Sequence, residues 1–107
     1  MITEFEKKVY AVTKRIPRGS VATYAMITRA FGSSRSARAV GNALNRNPFA
    51  LVPCHRVVRS DGLVGGFAHG TKAKEKLLTR EGVQVIDGKV DLRKFVVTYP
   101  RLRARKK

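Results

Sequence analysis

Apolar residues recur at helical spacing near the start of the chain. One stripe at that spacing consists of Phe5, Val9, Val12 and Ile16. Thr3 and Glu6 stand three residues apart at its front, as in a capping box. The pattern therefore predicts a first helix over residues 4–15, which Pro17 and Gly19 end.

Two further helices are predicted before the middle of the chain. The second covers residues 21–31, where small and apolar residues are available for packing. The third covers residues 36–45 and is ended by Asn47-Pro48, after a short break at Gly32. Two helices joined by a tight glycine-containing turn form the helix-turn-helix pattern, so the third helix is expected to be the recognition helix.

The predicted third helix carries side chains suited to contact nucleic acid. Its exposed polar candidates are Arg35, Arg38, Asn42 and Arg46. Ala37 and Gly41 leave little bulk along the helix, which lets another backbone approach closely, although Gly41 lowers helix stability. The alternative, a face of small residues that packs on a neighbouring helix, stays open at this point.

The second half of the chain has a mixed pattern. It predicts a hairpin at 57–64, a glycine-rich loop at 65–70, a helix at 71–80 and a second hairpin at 83–90. Gly82 is the expected C-cap of that helix. Residues 91–99 fit a short helix or a strand. The expected fold is mainly α with small β-hairpins, a single helix-turn-helix domain over residues 1–100.

Charge points to a polyanionic partner. The net charge is +16, and between Lys7 and Ser60 there are eleven Lys or Arg and no Asp or Glu. Residues 101–107 add five more positive charges and are predicted to form a disordered basic tail. Such a distribution favours a phosphate-facing surface, the alternative being a basic protein tuned for solubility. No run of about 18 apolar residues and no signal-peptide pattern is present, so we expect a soluble cytoplasmic protein with no membrane partner.

The single cysteine, Cys54, stands between Pro53 and His55. It has no partner for an internal disulfide, and His55 and His69 do not suffice for a structural zinc site, so no metal is expected. Its basic surroundings are expected to lower the pKa of the thiol, which favours a nucleophile. A buried, inert cysteine is the other interpretation, and the spacing alone does not decide between them.

Four stretches of the sequence resemble one family. They are GSVATYAMI, ARAVGNALNRNP, PCHRVV with the Gly-Gly-aromatic loop that follows it, and KEKLLTREG. Together they run from about residue 5 to residue 82 and resemble the alkylguanine-DNA alkyltransferases. The resemblance implies a winged helix-turn-helix domain that binds the minor groove of double-stranded DNA and extrudes an alkylated guanine. Extrusion agrees with the rule that enzymes acting on a base take it out of the stack.

The resemblance also implies roles for five residues. Cys54 would accept the alkyl group from guanine O6 and be consumed, with no cofactor. His55 would deprotonate it through a water, and Glu81 would orient His55. Asn47 would hold the cysteine loop, and Tyr24 would donate a hydrogen bond to the leaving guanine.

The implied DNA contacts involve further residues. Arg38 would fill the gap left in the duplex, and the backbone amides of Phe67 and Ala68 would contact the base. The remaining expected DNA-facing residues are Tyr24, Arg35, Ala37, Gly41, Asn42 and Arg56. The protein is expected to act as a monomer.

The sequence also departs from the family pattern. The N-terminal domain of many members is not expected, and the segment between Asn47 and Cys54 is one residue shorter than usual. Compact alkyltransferase-like proteins bind alkylated guanine without repairing it, but they typically carry tryptophan or alanine in place of the cysteine. Cys54 therefore favours transfer over damage sensing. A third hypothesis is a transcriptional or nucleoid helix-turn-helix protein with no preference for damage.

Overall fold

The computed structural model describes residues 2–30, 32, 37–65 and 70–98. In that part of the chain the elements, in order, are α1 (Glu4–Thr13), β1 (Ala22–Thr23), α2 (Tyr24–Ala30), α3 (Ala37–Asn45), a 3-10 turn (Cys54–Arg56), β2 (Val57–Val58), α4 (Thr71–Arg80), β3 (Val85–Ile86), β4 (Lys89–Val90) and α5 (Leu92–Phe95). The expected class, mainly α with small β elements, is confirmed. The predicted third-helix start at Ser36 and the tail 101–107 lie outside the described residues.

The first helix begins as its sequence predicts. The Glu6 N–H donates to Thr3 Oγ1 at 3.0 Å, and the Thr3 N–H donates to Glu6 Oε1 at 3.0 Å, which completes the capping box. The helix ends at Thr13, two residues earlier than predicted. Val9 and Val12 are buried, so the apolar stripe faces the core.

Three helices share the larger of two hydrophobic clusters. α1, α2 and α3 pack around a core that includes Val9, Ile27, Val40 and Ala43. The Tyr10 hydroxyl donates to the Ala43 carbonyl at 2.7 Å and ties α1 to α3. This cluster fixes the orientation of α3, the predicted recognition helix.

Residues 21–23 are not helical as predicted. Ala22 and Thr23 form β1, which pairs in parallel with Val57 and Val58 of β2. Val21 and Ala22 are both fully buried, so consecutive residues bury side chains, as in a strand covered on both faces. The second helix therefore begins at Tyr24, immediately after the strand.

The prediction of a hairpin at residues 57–64 is also wrong, because the two segments beside the turn do not pair as strands. The turn exists, since the Arg59 N–H donates to the Leu63 carbonyl at 2.9 Å. However, β2 pairs with β1, and Leu63 bridges to Lys89. Gly62 has a φ of +89°, and a Cβ there would lie 2.7 Å from the Val90 carbonyl oxygen, so the turn packs directly against β4.

The second predicted hairpin is confirmed. β3 and β4 are antiparallel, and positive φ at Asp87 and Gly88 indicates a type I′ turn. Residues 91–99, left open by the sequence, contain the short helix α5, whose N-cap Asp91 accepts from the Arg93 N–H at 3.0 Å.

Helix α4 ends at Arg80 as predicted, but its C-cap is Glu81, and the predicted cap Gly82 is the residue that follows. Gly82 has a φ of +93°. Its N–H donates to Thr79 O at 3.0 Å, and the Val83 N–H donates to Leu78 O at 2.9 Å. This Schellman motif fixes Glu81 at the C-cap, and its carboxylate bonds to His55 and Arg56 of the 3-10 turn. No helix among the described residues combines the length and apolar character needed to cross a bilayer.

Candidate active site

A cavity of about 350 Å³ opens between α2, α3 and the 3-10 turn. Its lining residues are Tyr24, Ala37, Arg38, Gly41, Asn42, Leu44, Asn45, Cys54, Arg59 and Gly65. Its size falls within the range of small-ligand sites. Six residues that the sequence predicts for the site therefore meet here: Tyr24, Ala37, Arg38, Gly41, Asn42 and Cys54.

The Cys54 thiol lies half-buried at this cavity with a polar group on each side. Asn47 Nδ2 donates to the sulfur at 3.0 Å, and the sulfur donates to the Leu44 carbonyl at 3.7 Å. Asn47 is held in turn by Phe49, whose N–H donates to Asn47 Oδ1 at 2.9 Å. The shorter segment between Asn47 and Cys54 thus still closes on the sulfur.

Burial raises the pKa of the Cys54 thiol, while the Asn47 hydrogen bond and the charge of Lys74 lower it in part. The expectation of a lowered thiol pKa is therefore wrong. The dense positive charge of the chain is largely solvated, whereas the sulfur sits in a sheltered position where the neutral form is favoured. A reaction at this sulfur needs a base.

The residue that follows the cysteine, His55, pairs with the carboxylate of Glu81. His55 Nε2 lies 2.9 Å from Glu81 Oε2, and both side chains are largely buried. A carboxylate only accepts hydrogen bonds, so Nε2 carries the hydrogen, and in the neutral imidazole Nδ1 then holds the lone pair. His55 is thereby oriented with an acceptor nitrogen that Glu81 does not occupy.

Arg56 completes this network from the interior. Its Nε donates to Glu81 Oε1 at 2.9 Å, its Nη2 to Glu81 Oε2 at 2.8 Å, and its Nη1 to the Ile16 carbonyl at 2.8 Å. Burial raises the pKa of Glu81, but the hydrogen bonds from Arg56 and His55 outweigh it and leave that pKa below its usual value. The predicted DNA contact of Arg56 is contradicted, because its side chain is only 16% exposed and its donors are directed to these oxygens.

Sequence reasoning missed two basic residues near the cavity. Lys74 on α4 is 1% exposed, and its Nζ lies 3.3 Å from the Tyr24 hydroxyl. Its signal in the sequence is a lysine that shares one helix face with Leu78, four residues later. Arg59 lines the cavity rim because it directly follows β2, while Tyr24 directly follows β1, and parallel strands end at the same edge.

The structure describes the positions of some of the other residues that the sequence predicts to contact DNA. Arg38 and Asn42 are exposed on α3 at the cavity. Arg46 is exposed but pairs with Glu6 at 2.8 Å, so it braces α1 against the end of α3. The predicted contacts at Arg35, Phe67 and Ala68 lie outside the described residues.

A family model and similar curated proteins indicate the same family for this chain. A family model described as "6-O-methylguanine DNA methyltransferase, DNA binding domain" matches residues 4–83. A methylated-DNA–protein-cysteine methyltransferase of Methanothermobacter thermautotrophicus is 53% identical over 85 residues, which cover 78% of this chain and 47% of that relative. The chain spans about half the length of the curated relatives it matches.

Two solved structures are similar to the described fold. S. pombe Atl1, in complex with damaged DNA containing O6-carboxymethylguanine, has a TM-score of 0.81 and 32% identity, covering 92% of this chain and 98% of that one. The O6-methylguanine-DNA methyltransferase of Pyrococcus kodakaraensis has a TM-score of 0.68 and 50% identity, covering 77% of this chain and 48% of that one. With the family match over most of its length, the chain belongs to the 6-O-methylguanine DNA methyltransferase family through the DNA-binding domain.

Proposed function

We propose that this protein repairs DNA by moving an alkyl group from O6 of guanine to the Cys54 sulfur. The observation that carries the proposal is the position of that sulfur. It lines a cavity between the predicted recognition helix and Tyr24, one residue from a histidine whose free nitrogen is set by Glu81.

The first step is loss of the thiol proton. Since burial favours the neutral thiol, His55 Nδ1 takes the proton through one bridging water, and Glu81 stabilises the imidazolium that forms. Asn47 stabilises the thiolate through its Nδ2–H. Arg56 keeps Glu81 ionised and in place.

The second step is displacement at the alkyl carbon. The thiolate forms a C–S bond as the C–O6 bond breaks, and that bonding pair passes to the guanine as an anion. Tyr24 donates a hydrogen bond to the guanine ring and stabilises this anion. The proton lost by the thiol ends on the guanine, which leaves as the neutral base. The thioether product is stable, so each molecule reacts once.

Helix α3 brings the target base to the cavity in this proposal. This helix presents Arg38 and Asn42 to solvent, while Ala37 and Gly41 leave room for a close approach at the cavity mouth. We propose that α3 binds the minor groove of duplex DNA, that the target guanine swings into the cavity, and that Arg38 occupies its place in the stack.

A radiolabelled methyl group on guanine O6 of a duplex tests this proposal. Wild-type protein is expected to retain about one label per molecule on Cys54, and Cys54→Ala is expected to bind the duplex and retain none. Undamaged duplex should bind more weakly than methylated duplex. Retention of label by Cys54→Ala would refute the assignment of the acceptor.

A second candidate is a damage sensor that binds alkylated guanine without reacting. The high likeness to Atl1 over nearly the whole of both chains favours it. It predicts selective binding to methylated duplex and an unmodified cysteine afterwards. Equal affinity for methylated and undamaged duplex would instead favour a general helix-turn-helix DNA-binding protein.

A further inference from the structure

Lys74 is a buried charge that the steps above do not use. Burying an ammonium group is costly unless polar groups receive it. Its Nζ lies 3.3 Å from the Tyr24 hydroxyl and 5.6 Å from the centroid of the Tyr24 ring. The Tyr24 hydroxyl is thus one of the polar groups that receive the buried ammonium, and Tyr24 also lines the cavity.

We propose that Lys74 is a positioning residue that turns the hydroxyl hydrogen of Tyr24 toward the guanine pocket. The inference rests on the proposed function and deepens it. An ammonium group has three donors and no acceptor, so the Tyr24 oxygen must accept from Lys74. The phenolic hydrogen then points away from Lys74, which makes it available on the cavity side.

The position of the hydroxyl agrees with this direction. A Cβ built at Gly65 would lie 3.6 Å from the Tyr24 hydroxyl and 3.4 Å from Arg59 Cγ. Gly65, Arg59 and Tyr24 all line the cavity. The hydroxyl therefore lies within reach of both Lys74 and the rim of the pocket.

Deprotonation of Lys74 reverses this hydrogen bond. A neutral amine has a lone pair, which accepts the phenolic hydrogen and draws it away from the pocket. Burial lowers the pKa of Lys74 to about 8, while the neighbouring Cys54 raises it in part. The orienting ammonium is thus mostly present near neutral pH and is lost as the pH rises through about 8.

Several titratable groups of the described residues lie around Lys74. Tyr24 and Cys54 act on it directly, and Arg59 acts on the Tyr24 hydroxyl from the rim. His55 and Arg56 belong to the same 3-10 turn as Cys54 but are directed to Glu81. The packed strand β3, Val85–Ile86, carries no titratable side chain, and Glu75, the next residue on α4, has its Oε2 near the Gly88 turn.

NMR of the protein labelled at tyrosine Cζ tests the hydrogen bond without any transfer reaction. The Tyr24 signal, assigned by its loss in Tyr24→Phe, is expected to shift in a step near pH 8 before the tyrosine ionises. The step should persist in Cys54→Ala, which removes the thiol as its source, and vanish in Lys74→Met. If the wild-type titration shows no such step, the role of Lys74 is overturned. This outcome is read from the wild-type protein alone, so it does not depend on whether a variant folds.

The transfer rate gives a second test. A pKa of about 8 means that the protonated fraction falls about tenfold between about pH 7 and about pH 9. The rate advantage of wild type over Lys74→Met should therefore fall toward 1 over this range, by at most about the same factor. Lys76→Met removes an equal charge from an exposed position on the same helix and should follow wild type.

The two proposals fail separately. An advantage over Lys74→Met that stays constant with pH would overturn the role of Lys74 while leaving transfer intact. Wild-type protein that binds methylated duplex and never transfers would overturn the proposed reaction, and the NMR titration would still decide whether Lys74 orients Tyr24.

Discussion

The Cys54 sulfur is held between burial, which raises its pKa, and the Asn47 amide, which lowers it. Replacing Asn47 with Ala removes the lowering contribution, so the thiol pKa should rise and less thiolate should be present near neutral pH. A hydrogen bond worth about 1 kcal/mol corresponds to about a fivefold slower reaction with iodoacetamide. The pH dependence of that reaction measures the pKa.

Asn45→Ala is the matched control for this change. Asn45 lines the same cavity, on exposed α3 surface. Its truncation should leave the thiol pKa unchanged. An equal effect of both substitutions would mean that Asn47 acts through general disturbance of the loop rather than through the sulfur.

Glu81 makes the free energy of unfolding depend on pH in the acidic range. In the folded protein the pKa of Glu81 lies below the ordinary value of a glutamate. Its contribution to stability is therefore complete above that ordinary value and is lost as the pH falls through the lowered folded pKa. Glu81→Gln should cost about 3 kcal/mol near neutral pH, because Arg56 then keeps a mostly buried charge without its counterion. Urea unfolding at several pH values measures both effects.

The acid dependence should flatten in Glu81→Gln. Glu4→Gln is the control, because Glu4 forms only an exposed pair with Lys7, and its replacement should change little. A Glu81→Gln protein as stable as wild type would contradict the network described around His55.

Single residues were predicted unevenly. Cys54, His55, Glu81 and Asn47 carry a recognisable motif, and the structure pairs Asn47 with the Cys54 sulfur and His55 with Glu81. Lys74 was missed because a lysine in a helical pattern is ordinarily solvated, and only tertiary packing buries it. The predicted direction of the pKa shift of the Cys54 thiol was wrong for the same reason, because the sequence shows which charges are present but not which groups are buried.

Elements with a strong local pattern were predicted well. α1 has a capping box, α4 has a terminal glycine, and the β3–β4 turn has Asp87-Gly88, so short-range chemistry determines each. β1 and β2 have two residues each and pair in parallel across distant parts of the chain. No periodic signal exists in two residues, so the strand at the start of the second helix could not be distinguished from helix.

The end of α4 links backbone geometry to the active site. Gly82 has open space around its Cα, so Gly82→Ala adds no clash and only forces an alanine into a φ near +93°. We expect a loss of about 1 kcal/mol in urea unfolding and a slower transfer, because the strain is relieved by moving Glu81 from His55.

Gly88→Ala separates these two effects. Gly88 also has positive φ, but it lies in the β3–β4 turn. It should lose similar stability and keep the wild-type transfer rate. If Gly82→Ala also transfers at the wild-type rate, the cap does not control the position of Glu81.

The charge of the whole chain should dominate affinity for undamaged DNA. With a net charge of +16, binding should weaken steeply as salt rises, because phosphate contacts release counterions. Deleting residues 101–107 removes five positive charges and should reduce the slope of log affinity against log salt by at most about 4.5. Fluorescence anisotropy at several salt concentrations measures the slope.

Transfer should survive that deletion, because the cavity, Cys54 and its partners are built from residues 24–81. The preference for methylated over undamaged duplex should also be unchanged. Loss of transfer on deletion would show that the basic tail does more than add charge.

Intact mass spectrometry after incubation with excess O6-methylguanine duplex shows whether Cys54 is the acceptor. Replacement of the thiol hydrogen by methyl adds one CH₂ to the protein, and peptide mapping should locate it on Cys54 in nearly every molecule. A protein that binds the methylated duplex selectively and yet keeps an unchanged mass would rule out alkyl transfer to Cys54.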